Sequence, residues 1–157
     1  MTTESAPLVL LVEDDHATRE MYAAAFAHEG FRILQAGTAT EALAMCRDPI
    51  PDLVVADVML PGIDGLQLCV RLRERFTPAR LPIVIVTGRY SGAEAMARAR
   101  RAGCQDVLLK PCLPETLISE ARRLIAEARS VRERAAAAMR DRATALMATK
   151  RRGGPKK

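Results

Sequence analysis

Leu53-Val-Val-Ala-Asp-Val-Met-Leu-Pro-Gly-Ile-Asp-Gly65 is the stretch that decides the fold. Four apolar residues run straight into Asp57, a Pro-Gly pair turns the chain, and Asp64 with Gln67 three positions on forms a capping box that opens a helix. A strand without polar alternation is buried on both faces, the pattern of a parallel sheet covered by helices. The same unit recurs on either side. Apolar, β-branched runs at 8–12 and 31–35 precede it, and runs at 82–87 and 107–110 follow. The intervening segments are long enough for helices, and two more open with capping boxes, Thr38 to Glu41 and Ser91 to Glu94.

In the first helix Ala17, Met21, Ala24 and Ala25 form an apolar stripe, with Gly30 placed to stop it; in the third, Leu68, Cys69, Leu72 and Phe76 share one side. Strands alternating with helices imply right-handed βαβ units, so the expected fold is α/β, a doubly wound five-stranded parallel sheet. After Pro114 no Gly or Pro occurs until Gly153, and Ala135 to Ala138 favour helix. An extended C-terminal helix to about Met147 is expected. The organisation is then an N-terminal arm at 1–6, the domain at 7–128, a helical extension at 129–148 and a basic disordered tail at 149–157.

With 157 residues, 49% hydrophobic and 27% charged, the chain suits one folded domain and not a disordered or disulfide-stapled one. Cys46, Cys69, Cys104 and Cys112 match neither a CxxC pair nor a zinc pattern and read as small buried hydrophobes. His16 and His28 read as exposed helix residues. No apolar run approaches the roughly 18 residues of a membrane span, and the N-terminus lacks a signal-peptide pattern, so a cytoplasmic location is expected. The net charge of +5 is uneven: residues 1–114 carry 12 basic and 14 acidic side chains, and residues 115–157 carry 12 and 5. Any affinity for nucleic acid therefore belongs to the tail.

In an open parallel sheet, ligands bind beyond the carboxyl ends of the strands. Glu13 and Asp14 follow the first strand, Asp57 ends the third, Thr87 the fourth and Lys110 the fifth. Crowded carboxylates repel one another unless a hard cation such as Mg²⁺ neutralises them. Transfer of a phosphoryl group to a carboxylate needs the same parts: a nucleophilic aspartate, a metal, a cation and a hydroxyl donor. Singly, each residue has a plainer reading, as a helix start, a loop cap or a solvated side chain, and Asp15 reads as a helix start alone. Their joint occurrence points to function.

Leu11-Val-Glu-Asp-Asp15, Asp57-Val-Met-Leu-Pro-Gly-Ile-Asp-Gly65, Ile83-Val-Ile-Val-Thr-Gly88 and Leu108-Leu-Lys-Pro111 together resemble the CheY-like receiver domain of two-component response regulators, over about residues 7–128. The resemblance implies that Asp57 is the phosphoacceptor, that Glu13, Asp14, Asp57 and the Met59 carbonyl hold Mg²⁺, and that Lys110 and Thr87 meet the phosphoryl group. It further implies a cis peptide before Pro111, a histidine kinase or phosphotransfer protein as donor, autodephosphorylation, and a downstream protein partner at the fourth and fifth helices.

This sequence departs from the family pattern in two places. Val107 stands where an aromatic usually swings inward with the threonine, and Thr87 to Lys110 is about one residue longer than usual. Coupling is therefore expected to be weaker or rerouted, with Tyr90 read first as an ordinary loop aromatic and second as a substitute. No Gly-rich nucleotide loop is present, so the chain depends on a phosphodonor. An enzyme of the aspartate-nucleophile phosphatase kind would want an acid where Met59 sits, so no separate substrate is expected. A nucleic-acid or polyanion-binding regulator acting through the tail is the alternative, although no helix-turn-helix follows the domain. The tail positions Val131, Ala135 and Ala138 continue a short heptad seam from Leu117, Ala121, Leu124 and Ala128, which leaves a homodimer as a further reading.

Overall fold

The computed structural model describes residues 4–89 and 92–152. Its elements alternate along the chain: β1 (Leu8–Val12), α1 (His16–His28), β2 (Arg32–Ala36), α2 (Ala39–Met45), β3 (Leu53–Ala56), α3 (Gly65–Arg73), β4 (Ile83–Thr87), α4 (Ala93–Ala102), β5 (Asp106–Leu109) and α5 (Pro114–Arg152). All strand pairs are parallel, in the order β2-β1-β3-β4-β5. The fold is the doubly wound sheet expected, with strand limits shifted by a residue at some ends.

Side chains alternate across each strand and so serve two cores. Leu10, Val12, Val54, Ala56, Ile83 and Ile85 face α2, α3 and α4, whereas Val9, Leu11, Leu53, Val55, Val84 and Val86 face α1 and α5. β1 and β3 lie inside the sheet and are buried throughout; β2 lies at one edge and is largely only part-buried.

The helix starts follow their caps. Asp15 accepts from Thr18 N at the start of α1, and Asp64 with Gln67 makes both bonds of a capping box on α3. Thr38 accepts from Glu41 N, but the Glu41 carboxylate turns to Gly37 N, so only half of that box forms. α4 begins one residue later than a cap at Ser91 would require. Its N-cap is Gly92, with φ 98° and no side-chain bond, and Ser91 lies outside the described residues.

Two sequence expectations need correction. α1 buries Tyr22, Ala23 and Phe26, and leaves Met21 exposed with Ala17 and Ala24. Alanine and methionine surround this helix on most sides, so the two large aromatics, four residues apart, set which face turns inward. α5 continues to Arg152, past the expected end near Met147 and into the segment expected to be disordered; residues 153–157 lie outside the described part. Nothing before Gly153 breaks the helix, and Lys150, Arg151 and Arg152 in its last turn are favoured by the negative end of the helix dipole.

Leu117, Ile118, Ala121, Leu124, Ile125 and Ala128 seat α5 on the sheet. Its last anchors are Arg129, paired with Glu4, and Arg132, which donates to Ala79 O at 2.6 Å. Beyond them Met139, Leu146 and Met147 are exposed. No helix among the described residues is long and apolar enough to cross a membrane.

Candidate functional site

Parallel strands bring their carboxyl ends to one edge, and backbone bonds carry that register into the loops. Asp57 N donates to Val12 O at 3.0 Å, Glu13 N to Ala36 O at 3.1 Å and Lys110 N to Thr87 O at 2.9 Å. Residues far apart in sequence thereby meet. Lys110 Nζ lies 2.7 Å from Asp57 Oδ2 and 2.7 Å from Glu13 Oε2. Glu13 and Asp57 are buried, Asp14 is exposed, and carboxylate oxygens of all three come within 4.8 Å of one another.

Burial pushes the Glu13 carboxyl above the usual carboxylate range, against the pull of Lys110. Burial also works against the charge on Lys110. Its hydrogen bonds to Asp57 and Glu13 outweigh that and hold the ammonium above its ordinary pKa. Met59 N donates to Asp57 Oδ1 at 3.0 Å, so both Asp57 oxygens are oriented. Thr87 is fully buried at the end of β4, and its hydroxyl accepts from Arg89 N at 3.4 Å. The peptide before Pro111 is cis, as is that before Pro49.

Three supports of the site escaped the sequence reading. A Cβ on Gly65 would lie 2.1 Å from Asp57 O, so only glycine lets the first turn of α3 rest on the backbone of Asp57. Tyr22 donates to Cys112 O at 2.7 Å and ties the loop after Lys110 to α1. Arg19 Nη1 donates to Glu13 O at 2.7 Å and its Nε to Gln35 Oε1 at 3.2 Å. The Gly65 requirement had a local signal, a glycine at the start of a helix, where it is otherwise a poor residue. The other two contacts depend on which face of α1 turns inward.

An oriented carboxylate beside a fixed ammonium, with further acids at hand and a buried hydroxyl on the next strand, suits reversible attachment of an anionic group to Asp57. Residues 9–122 match the family described as the response regulator receiver domain. The chain belongs to that family.

Among the relatives of this receiver domain, the transcriptional regulatory protein AfsQ1 of Streptomyces coelicolor is 36% identical over 105 residues, covering 67% of this chain and 45% of that protein. The response regulator MprA of Mycobacterium avium is 38% identical over 117 residues, covering 74% and 50%. The chain thus spans about half the length of these curated relatives. A CheY-like receiver domain from Methanospirillum hungatei superposes with a TM-score of 0.73 at 27% identity, covering 80% of this chain and 98% of that one. The receiver domain of NtrX from Brucella abortus gives 0.68 at 32%, covering 75% and 98%.

Within this receiver domain Val107 is part-buried against the α3–α4 core. With Thr87, Ile85, Val58, Leu66, Ala95 and Ala99 it lines a small apolar gap between the sheet and α4. Tyr90, considered above as a substitute aromatic, lies outside the described residues.

Proposed function

We propose that Asp57 of this receiver domain takes up a phosphoryl group from a histidine kinase or phosphotransfer protein and loses it again to water, with no separate substrate. The observation that carries this reading is the position of Lys110 Nζ, 2.7 Å from Asp57 and 2.7 Å from Glu13. An Asp57 oxygen attacks phosphorus, the bond from phosphorus to the donor breaks, and the donor leaves with the electron pair. Lys110 then balances charge on the phosphoryl oxygens, and Thr87 hydrogen-bonds one of them. In the reverse phase water adds to phosphorus, the bond to Asp57 breaks, and the carboxylate and inorganic phosphate are released.

The donor set suits Mg²⁺: three carboxylates with oxygens within 4.8 Å form a hard-oxygen cluster. In this reading Glu13, Asp14, Asp57 and the Met59 carbonyl hold the ion. When bound, it neutralises the acids and the charge that develops on the transferring group. Output runs through protein contacts at α4 and α5. α4 buries only Ala99, so it is the helix most easily moved. A cytoplasmic location is part of this reading.

The test is mass measurement after incubation with acetyl phosphate and Mg²⁺. Wild type gains one phosphoryl group and Asp57→Asn gains none. Undiminished labelling of the variant would remove Asp57 from the mechanism.

A further inference from the structure

Cys69 and Cys104 are separated by 35 positions in a spacing that matches no metal or redox motif, yet the fold sets their Sγ atoms 2.8 Å apart. Cys69 sits on the inner face of α3 beside Leu68 and Leu72 and has no exposed surface. Cys104 follows the left-handed Gly103 that ends α4 and is 5% exposed. Both sulfurs lie in the core on the α3–α4 side. Among the described residues no other pair of thiols touches. Cys46 is buried alone and Cys112 is half-buried near Leu113.

We propose that Cys69 and Cys104 form a redox pair that closes to a disulfide when the protein meets a hydroperoxide. Neither cysteine is among the residues gathered around Asp57, and the proposal stands whether or not Asp57 is phosphorylated. The sulfur of Cys104, the residue of the pair that keeps some exposed surface, attacks an oxygen of hydrogen peroxide; the O–O bond breaks, the departing hydroxide takes the thiol proton as water, and Cys104 becomes a sulfenic acid. The Cys69 sulfur then attacks Cys104 Sγ and the S–S bond forms. The sulfenic hydroxide leaves with the Cys69 proton as a second water. The two thiols give up two electrons and the peroxide accepts them.

Two features of the surroundings fit this chemistry. Arg73 Nε donates to Gly103 O at 2.9 Å and Arg73 Nη2 to Gln105 Oε1 at 2.8 Å, so the guanidinium lies along the chain on both sides of Cys104. That pins the backbone on either side of Cys104 and keeps its sulfur against Cys69. α4 holds to the sheet through one buried residue, Ala99, and starts without a side-chain cap. Its opening is the least costly way to admit a molecule as small as a peroxide to Cys104. The hydrogen bond with Cys104, followed by burial, pushes the Cys69 thiol up, which suits the slower, resolving member of the pair. The covalent loop so formed encloses β4 with Thr87 and all of α4, and tethers the C-terminal end of α4 to α3. In a reducing compartment disulfides of this kind are transient and sensing rather than structural.

The experiment takes the full chain, fully reduced and freed of reductant, exposes it to hydrogen peroxide, blocks remaining thiols with iodoacetamide in denaturant, and maps the peptides without reduction. Before blocking, the expected product is a monomer lighter by two hydrogens that dithiothreitol returns to four thiols; after blocking, Cys69 is linked to Cys104 and Cys46 and Cys112 are alkylated. Cys112→Ser, a change outside the pair, must still link; Cys104→Ser must not. The unmodified protein decides the matter even where Cys104→Ser fails to fold. A link through Cys112 or between chains overturns the proposal, as does sulfinic acid at Cys69 or Cys104 without a link, loss of the link in Cys112→Ser, or a pair still reduced when Cys112 is fully oxidised.

Discussion

Gly65→Ala tests whether the site depends on direct contact between α3 and the backbone of Asp57. The added Cβ would sit 2.1 Å from Asp57 O, 2.9 Å from Asp57 C and 3.0 Å from Val58 Cα. All three are backbone atoms, so no side chain can swing away. Close carbon–oxygen contacts lie near ~3.3 Å, so α3 and the end of β3 must separate by roughly 1 Å. That movement strains the bond from Gly65 N to Val58 O, 2.9 Å long, and displaces the Asp57 carbonyl. Overpacking of this kind costs about 1–3 kcal/mol and a weakened hydrogen bond about 1 kcal/mol. Alanine recovers up to about 1 kcal/mol of helix propensity, and less than that in a first turn.

The net expectation is a loss of about 2–3 kcal/mol, read as a fall in Tm of roughly 5–12 °C. Phosphoryl uptake from acetyl phosphate falls with it, because Asp57 moves. Gly88→Ala is the control. Its Cβ meets Lys110 Cβ at 3.8 Å, an ordinary contact, and stability should stay within about 0.5 kcal/mol. A Gly65→Ala protein as stable as wild type, with undiminished phosphoryl uptake, would refute the reasoning.

Asp14→Ala should weaken Mg²⁺ binding more than Glu13→Ala, because Glu13 is engaged by Lys110 whereas Asp14 is exposed and makes no hydrogen bond or ion pair among the described residues; calorimetric titration of each variant checks the order. Tyr22→Phe removes the bond to Cys112 O and should cost about 1 kcal/mol in urea unfolding, without altering the Mg²⁺ affinity. Deleting residues 130–157 removes more than half of the 39-residue α5 and should lower helical circular dichroism markedly while the remaining domain still unfolds cooperatively; unchanged helicity would contradict the extension.

The residues that read correctly from sequence are those whose signal is local. Runs at 53–56 and 83–87, without charged or amide side chains and rich in β-branched residues, mark strands because a strand buried on both faces has no polar position to alternate with. Asp64 and Gln67 mark a helix start because their bonds span only three positions. The acids, the hydroxyl and the lysine could be assigned to one edge because each follows a parallel strand. The inward face of α1 was misread because alanine is apolar at every angle and carries little size. Tyr22 and Phe26 settle it by the volume they fill against Phe31 and the sheet. The caps of α2 and α4 departed from pattern where tertiary contact or a glycine offered another arrangement.

Sequence alone determined the kind and order of the elements and the edge at which Glu13, Asp14, Asp57, Thr87 and Lys110 gather, since periodicity, capping and strand ends are properties of a few neighbouring residues. The tertiary structure decided what those residues touch. The reach of Lys110 to two carboxylates 53 and 97 positions away, the space that only Gly65 leaves beside Asp57, and the meeting of Cys69 with Cys104 depend on the strand order β2-β1-β3-β4-β5 and on the rotation of each helix about its axis. Those are set by the joint packing of side chains from distant segments, a many-body outcome that no local pattern encodes.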